Sequence, residues 1–254
     1  MLRSYGDQNR AVQWWHDTMR PRRVVTQLCI KMVLIGVMVI SSLHPIRAED
    51  SPAKIQRAVK ILALGDSLSA GYGLPEADAF PVQLERALRG KGYDVDIVNA
   101  GVSGDTASGG LERLDWALSD DTDAVIVELG ANDMLRGIDP AITRKALDTI
   151  LARLRTRGIE VLLCGMRSAP NMGETYGRAF EEVFTDLAAK YPDNVVFYPF
   201  FLDGVAAQAK LALADGMHPN AQGVATIVTG ILPKAEELIA RVNAKRRAEG
   251  TKMK

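Results

Sequence analysis

Four short polar segments of this sequence carry side chains that could act together in catalysis. Three of them directly follow apolar runs typical of buried strands, and the fourth precedes a long amphipathic stretch. They are residues 65–69 (GDSLS), 99–106 (NAGVSGDT), 130–133 (GAND) and 215–219 (DGMHP). The serine, histidine and aspartate among them are the residue types used in nucleophilic acyl transfer.

The number of histidines narrows the choice of a catalytic base. The sequence has three, His16, His44 and His218, and the first two lie in an N-terminal stretch that we expect to be removed. A histidine base would therefore be His218. A lone histidine is more often an ordinary surface or core residue. This one follows Asp215 by three positions, in a loop that leads into a helix, and that context favours a functional role.

The chemistry of these residues fits together. The hydroxyl of Ser67 becomes a strong nucleophile only when a base removes its proton. His218 could be that base, and Asp215 could fix its tautomer and stabilise the imidazolium. Attack on an ester or thioester creates an oxyanion that needs hydrogen-bond donors. The backbone amides of Ser67 and Gly104 and the side-chain amide of Asn132 could supply them.

The N-terminal residues have the layout of a secretory signal peptide. Basic residues precede an apolar run that starts at Met32, and the run of about twelve residues is too short to cross a bilayer as a helix. We expect residues 1–48 to be a cleavable signal peptide that ends near Ala48, with Met19 as an alternative start. The mature protein would then be periplasmic or secreted, without stable membrane insertion. An uncleaved N-terminal anchor is the alternative.

Charge and cysteine content limit the partners and the chemistry. Seven of the 31 basic residues but only two of the 31 acidic ones lie in residues 1–48, so the remainder has a net charge of −5. That argues against a nucleic-acid partner, which would require a basic patch. Cys29 would leave with the signal peptide, and Cys164 lies in a predicted buried strand. We therefore expect no internal disulfide and an unreactive core thiol.

Strands and helices alternate along the rest of the chain. Residues 49–58 are expected to be a short linker, residues 59–244 one domain and residues 245–254 a polar, frayed tail. Helix 140–157 is the clearest element, because Ile142, Ala146, Ile150 and Leu154 mark one face and Asp139 precedes Pro140 at its start. The alternation predicts an α/β fold with a parallel sheet covered on both faces. Strands are expected at 59–64, 95–98, 124–129, 159–165 and 194–198, and helices at 79–89, 107–119, 140–157, 174–191 and 221–245.

The four segments resemble, in order and spacing, the four conserved blocks of the SGNH hydrolases, also called the GDSL lipase/esterase family. The resemblance runs from about residue 59 to residue 239. It is closest to the bacterial periplasmic branch of acyl-CoA thioesterases, lysophospholipases and arylesterases, through residues 69–72, 127–130, 135–137 and 167–180. Ala131 stands where that branch often has glycine.

The resemblance implies a three-layer α/β/α flavodoxin-like sandwich with a mostly parallel five-stranded sheet. It implies Ser67 as the nucleophile, Asp215 and His218 as acid and base, and an oxyanion hole formed by Ser67, Gly104 and Asn132. It also implies a shallow site of broad acyl specificity with no metal and no cofactor. The expected partner is a small acyl ester or thioester, and a monomer is favoured.

Six residues could line an acyl groove, although in isolation they would be interpreted as core. They are Met134, Leu135, Met166, Ala169, Pro170 and Tyr176.

Structural roles are expected for five polar residues near the four segments. Asp66 would order the loop around Ser67, and Asp105 and Thr106 would cap the next helix. Asp133 would support the site without reacting, and Ser69 would only begin a helix.

Two other functions remain open at this point. A carbohydrate deacetylase could use the same scaffold, and it would favour acetyl esters with no gain from longer acyl chains. A catalytically silent binding protein could keep the same segments for structure alone, and its Ser67 would not react with a fluorophosphonate.

Overall fold

The computed structural model describes residues Arg57–Lys252. The expected signal peptide and all but the last two residues of the expected linker lie outside the described residues. The strands are β1 (Val59–Gly65), β2 (Val95–Gly101), β3 (Ala124–Glu128), β4 (Glu160–Cys164) and β5 (Val195–Tyr198). The helices are α1 (Ser67–Ala70), α2 (Phe80–Gly90), α3 (Ala107–Ala117), α4 (Ala131–Leu135), α5 (Pro140–Thr156), α6 (Glu174–Lys190) and α7 (Ala221–Lys252). Short 3-10 helices occupy Glu76–Asp78, Pro170–Met172 and Ala209–Leu211.

The five strands form one parallel sheet in the order β2-β1-β3-β4-β5. This is the flavodoxin-like order, in which the chain direction across the sheet reverses between β1 and β3. Ligands of such sheets bind beyond the carboxyl ends of the strands at that reversal. The segments that follow β1 and β3 are 65–69 and 130–133, so the topology brings the first and third polar segments together.

Helices cover both faces of the sheet. Helices α2 and α7 pack against each other on one face, while α3, α5 and α6 pack in a row on the other. Strands β3 and β4 are buried throughout, as their continuous apolar runs predict. Strand β2 is an edge strand and leaves Val98 43% exposed. The predicted three-layer α/β/α architecture is confirmed. Cys164 lies inside the core, where burial raises the pKa of its thiol.

The start of α5 follows its sequence signals, but its inner face differs from the prediction. The carboxylate of Asp139 accepts from the amide of Ala141 at 2.9 Å, with Pro140 in the first turn. Ile142 was expected on the buried face, yet it is 53% exposed. Thr143 is buried instead, because its hydroxyl donates to Asp133 at 2.9 Å.

The first eight residues of the expected tail, 245–252, are helical. Residues 245–254 were expected to be a frayed, solvated tail, but α7 continues to Lys252. Arg246 donates to Asp123 at 2.6 Å and to the carbonyl of Ala58 at 3.2 Å, and Lys245 donates to the carbonyl of Gly158. These contacts hold the last turns against the amino-terminal end of the sheet. Between Arg57 and Lys252 no helix is long and apolar enough to cross a membrane.

Candidate active site

Ser67 begins the short helix α1 immediately after β1. Asp66 caps this helix, because its Oδ1 accepts from the amide of Leu68 at 2.9 Å. The turn is crowded: a Cβ on Gly65 would lie 2.1 Å from the Oγ of Ser69. Only glycine fits there, so the end of β1 and the start of α1 are held in one arrangement.

Ser67, His218 and Asp215 form a continuous hydrogen-bonded series. The Nε2 of His218 lies 3.0 Å from the Oγ of Ser67, and its Nδ1 lies 2.7 Å from the Oδ2 of Asp215. The Oδ1 of Asp215 accepts from the amides of Met217 and His218 at 2.9 and 3.0 Å. The Met217 amide, with the His218 side chain and amide, lowers the pKa of Asp215 to about 2. The carboxylate therefore carries its charge at neutral pH.

Backbone contacts hold the loop that carries His218. The amide of Leu213 donates to the carbonyl of His218 at 2.7 Å, and Ala212 forms an antiparallel bridge with Pro219. The side chain of Asn220 donates to the carbonyl of Ala212 at 3.3 Å and accepts from amides at the start of α7. The loop is thus fixed to the helix that follows it.

Tyr72 covers the imidazole of His218, a contact that the sequence did not reveal. The two ring centroids lie 4.5 Å apart with the planes tilted by 34°. The side chain of His218 is only 18% exposed, whereas Tyr72 remains 52% exposed. The amide of Tyr72 donates to the carbonyl of Ser67 at 3.1 Å, so the turn after α1 brings this ring to the imidazole of His218.

Gly104 lies in the loop between β2 and α3, with a φ of +88° that favours glycine. Its carbonyl accepts from the guanidinium of Arg136 at 2.7 Å. Among the described residues, the amides of Ser67 and Gly104 make no hydrogen bond. Both are therefore available to a bound group.

Arg113 joins the carboxyl ends of β1 and β2. Its guanidinium donates to the carbonyls of Gly65 and Ala100 at 2.8 and 2.7 Å, and to Asp105 at 2.6 Å. Asp105 was predicted to cap α3 together with Thr106, but only Thr106 does so, accepting from Gly109. The carboxylate of Asp105 is drawn to the buried guanidinium instead.

Asn132 contacts the Ser67 turn from α4, a helix too short to be predicted from periodicity. Its Nδ2 donates to the Oδ2 of Asp66 at 3.0 Å, which orients the amide and leaves its second N–H unused by that bond. Burial raises the pKa of Asp66 to about 6, against the two hydrogen bonds that it accepts. Its bonds to Leu68 and Asn132 are consistent with the prediction that Asp66 orders the loop around Ser67.

Asp133 supports this region without facing Ser67. It is fully buried and accepts from the amide of Ala107 at 2.8 Å and from the hydroxyl of Thr143 at 2.9 Å. Its carboxylate thereby connects α3, α4 and α5.

Ser69 does more than begin a helix, contrary to the prediction. It is fully buried, and its hydroxyl donates to the Oε2 of Glu128 at 2.7 Å. Glu128 looked like part of an apolar strand in the sequence, which gave no signal of this contact.

The six predicted groove residues differ in accessibility. Met166 is 3% exposed and packs in the core, so it does not line an open groove in this structure. Leu135 is 50% exposed, whereas Met134 and Tyr176 are partly buried against the core. The Tyr176 hydroxyl donates to the carbonyl of Ile138 at 2.9 Å. Ala169 is partly buried and Pro170 exposed at the start of a 3-10 helix.

Exposed apolar side chains also lie next to the site residues in sequence. They are Tyr72, Val102, Leu135 and Met217. Within the described part of the chain, no group of three or more His, Cys, Asp or Glu side chains is arranged to hold a metal ion.

Residues 63–225 match the model of the GDSL-like lipase/acylhydrolase family. The match covers more than half of the chain and includes every residue of the arrangement around Ser67. The chain belongs to this family. The predicted resemblance to GDSL (SGNH) esterases is therefore confirmed.

Relatives of this GDSL-family chain are similar over most of their length. Esterase TesA of Pseudomonas aeruginosa is 37% identical over 183 residues, which are 72% of this chain and 90% of the relative. An arylesterase of Vibrio mimicus is 37% identical over 188 residues, 74% and 92% of the two chains. Thioesterase 1/protease 1/lysophospholipase L1 of Escherichia coli K12 is 38% identical over 161 residues, 63% and 75% of the two chains.

Solved structures agree with the fold. The crystal structure of TesA matches with a TM-score of 0.67 at 37% identity, covering 70% of this chain and 99% of that one. The structure of the psychrotrophic esterase EstA from Pseudoalteromonas sp., inhibited by monoethylphosphonate, matches with a TM-score of 0.66 at 28% identity. It covers 72% of this chain and 99% of that one.

Proposed function

We propose that this GDSL-family esterase cleaves carboxylic esters and thioesters of acyl chains through a covalent acyl-enzyme on Ser67. The observation that carries the proposal is the series of contacts from Ser67 through His218 to Asp215, at 3.0 and 2.7 Å. These are the contacts that a serine nucleophile needs from a base, and a base from an orienting carboxylate.

In the first half of the reaction, the Oγ of Ser67 attacks the substrate carbonyl carbon. Its proton passes to the Nε2 of His218, and Asp215 stabilises the imidazolium through Nδ1. When the tetrahedral intermediate collapses, the bond from carbon to the leaving oxygen or sulfur breaks. His218 then gives its proton to the leaving alcohol or thiol.

In the second half, water replaces the leaving group. His218 removes a proton from the water, whose oxygen attacks the acyl carbon on Ser67. Collapse of this second intermediate breaks the bond to Oγ, which regains its proton from His218. The products are the carboxylic acid and the free enzyme.

The oxyanion of both intermediates would accept hydrogen bonds from three donors. The amides of Ser67 and Gly104 are unused by the described residues, and Asn132 has one N–H beyond its bond to Asp66. Arg136 fixes the peptide of Gly104 by binding its carbonyl at 2.7 Å. Donors positioned in this way stabilise the transition state without reorganising.

An acyl substrate suits the apolar side chains near the site. Tyr72, Val102, Leu135 and Met217 are all exposed, as a surface that contacts an acyl chain requires. Met134, Ala169, Pro170 and Tyr176 remain proposed groove residues. The relatives named as esterase, arylesterase and thioesterase favour an ester or thioester, and none of these names specifies a carbohydrate.

Replacing Ser67 tests the proposal. Ser67→Ala should lower kcat for p-nitrophenyl acetate by about a millionfold, with an unchanged circular dichroism spectrum. The matched control is Ser119→Ala in an exposed turn before β3, which should keep full activity. Activity retained in the Ser67 variant would refute the proposed nucleophile.

A series of p-nitrophenyl esters from acetate to palmitate defines the substrate. We expect kcat/KM to rise with chain length, since longer chains bury more apolar surface. A preference for acetate without any gain from longer chains would instead favour a carbohydrate deacetylase.

We also propose export to the periplasm or the medium, on the basis of the basic and apolar residues within 1–48. N-terminal sequencing of the exported protein should give a start near Glu49. A protein that keeps Met1 or Met19 and stays in the cytoplasm would contradict this.

A further inference from the structure

Two buried carboxyl groups lie beneath the turn that carries Ser67. Asp66 and Glu128 are both fully inaccessible to solvent. Glu128 is the last residue of β3 and is paired in the sheet with Gly65, the residue before Asp66. The side chain of Glu128 thus fills the space under the junction of β1 and α1, where a Cβ on Gly65 would lie 2.6 Å from its Oε2.

Glu128 binds the turn through one of its two oxygens. Its Oε2 accepts from the hydroxyl of Ser69 at 2.7 Å and from the amide of Asp66 at 3.3 Å. These two donors flank Ser67 on either side in the sequence. Its Oε1 has no hydrogen-bond partner among the described residues.

The two carboxyl groups differ in the hydrogen-bond donors that contact them, and the difference favours the ionised form of Asp66. Asp66 accepts from the amide of Leu68 and from Asn132 at 2.9 and 3.0 Å, with one donor on each oxygen. Among residues 57–252 Glu128 has no cationic partner, since the guanidinium of Arg113 donates to Gly65, Ala100 and Asp105 instead.

Two adjacent carboxyl groups in a buried site cannot both be ionised without a large cost in free energy. Burial and the neighbouring Asp66 raise the pKa of Glu128 well above its usual range. The buried thiol of Cys164 on β4 also faces Glu128 among the described residues, and its own raised pKa keeps it neutral. The negative charge is therefore favoured on Asp66, where each oxygen has a donor, and the proton on Glu128, whose Oε1 accepts no hydrogen bond among the described residues.

We infer that Glu128 is a positioning residue for the nucleophile, acting as a neutral acid that holds both sides of the Ser67 turn. The inference rests on the proposed role of Ser67. A neutral group suits this position because a further negative charge would oppose the oxyanion that forms at the same end of the sheet. Loss of the group would let the turn shift, and a shift of about 1 Å can cost about a hundredfold in rate.

Two substitutions separate the shape of the side chain from its charge. Glu128→Gln keeps the shape and an acceptor oxygen without any charge, so kcat for p-nitrophenyl acetate should stay within about threefold of wild type. Glu128→Ala removes the contacts, and kcat should fall about 10- to 100-fold with KM changed by less than about twofold. The matched control is Glu160→Ala, a buried glutamate with an unpartnered oxygen at the other end of the sheet, which should keep kcat.

Ser69→Ala provides a second route if Glu128→Ala does not fold. It removes the stronger donor to Glu128 and should lower kcat about threefold to tenfold. The rate at which a fluorophosphonate labels Ser67 should fall by the same factor, because that reaction depends on the position of Oγ and not on acyl binding.

Infrared difference spectroscopy tests the charge directly. The spectrum of wild type minus Glu128→Gln at pH 7 should contain the C=O band of a protonated carboxyl. If that spectrum contains a carboxylate band instead, Glu128 is not neutral. An equal loss of kcat in Glu128→Gln and Glu128→Ala would likewise contradict the neutral state of Glu128. Full kcat in Glu128→Ala or in Ser69→Ala would overturn the positioning role. An inactive Ser67→Ala beside a fully active Glu128→Ala would refute this inference alone and leave the nucleophile unaffected.

Discussion

At the scale of single residues, the reactivity expected of Ser67 depends on the charge of Asp215. Its pKa of about 2 lies below the ordinary value of 3.8, so the carboxylate stays ionised throughout the neutral and mildly acidic range. A lowered pKa stabilises the fold above pH 3.8, and that contribution is lost only as the pH falls towards 2. Activity at pH 5 is therefore not limited by protonation of Asp215.

Replacing this carboxylate should reveal its role. Asp215→Asn keeps the size of the side chain but can no longer stabilise the imidazolium, so kcat should fall by roughly ten thousandfold. Asp203→Asn, in an exposed loop, is the matched control and should retain activity. Steady-state kinetics at pH 7 decides between the two outcomes, and similar kcat values for both variants would remove Asp215 from the mechanism.

Some of these residues could be predicted from the sequence and others could not. Ser67, Asp215 and His218 stood out because residue type, order and the scarcity of histidine restrict the choices. Tyr72, Ser69 and Glu128 did not, because their contacts arise only when distant segments fold together. The prediction that Met166 lines a groove was wrong for a similar reason, since an apolar residue after a strand can face either the core or a groove.

At the scale of elements, Arg113 in α3 fixes the ends of two neighbouring strands. Its guanidinium is nearly buried and donates to Gly65 on β1, to Ala100 on β2 and to Asp105 in the loop that carries Gly104. The segments that carry Ser67 and Gly104 therefore depend on one side chain that takes no part in the chemistry.

Removing that guanidinium should damage stability and activity together. Arg113→Ala leaves the mostly buried carboxylate of Asp105 without its cation and removes one donor from the carbonyls of Gly65 and Ala100, so the free energy of unfolding should fall by about 3–5 kcal/mol. Arg153→Ala breaks only an exposed pair with Asp115 and should cost less than about 1 kcal/mol. Thermal unfolding and kcat measured on both variants test this, and equal melting temperatures would contradict it.

The elements were predicted to different extents. Helix α5 was clear because Asp139, Pro140 and four turns of apolar periodicity agree. Helix α4 has five residues, too few for a periodic signal, and its start follows Gly130, whose φ is +117°. The burial of Thr143 in place of Ile142 reflects its bond to Asp133, a tertiary contact that periodicity does not encode.

At the scale of the whole molecule, one end of the sheet carries the site and the other end carries contacts that stabilise the fold. The carboxyl end holds the residues around Ser67. At the amino end, Arg246 of α7 binds Asp123 in a pair of which both side chains are mostly buried. The last turns of α7 therefore contribute to stability at a distance from the site.

Shortening the chain at its C-terminal end should lower stability without lowering activity. A chain that stops after Ala244 loses the contacts of Lys245 and Arg246, so its free energy of unfolding should fall by about 2–4 kcal/mol. That corresponds to a melting temperature lower by roughly 5–15 °C. The kcat at 25 °C should remain within about twofold of the full chain, since distant sites act independently. A chain that lacks only residues 251–254 is the control, and an unchanged melting temperature in the longer truncation would contradict the stabilising role.

The parallel sheet and its three layers followed from the alternation of strands and helices together with the family resemblance. The ordered end of α7 did not, because a run of charged residues has the composition of a solvated tail. Its order comes from partners far away in the sequence, Asp123 and Gly158.

The central claim is that Ser67 forms the covalent intermediate. Its most direct test is to treat the full chain with a fluorophosphonate and to locate the modification by mass spectrometry of the intact protein and its peptides. One equivalent should attach to Ser67, Ser67→Ala should remain unmodified, and His218→Gln should react at least a thousandfold more slowly. Modification of a different residue, or a Ser67→Ala variant that still hydrolyses p-nitrophenyl acetate at the wild-type rate, would contradict the claim.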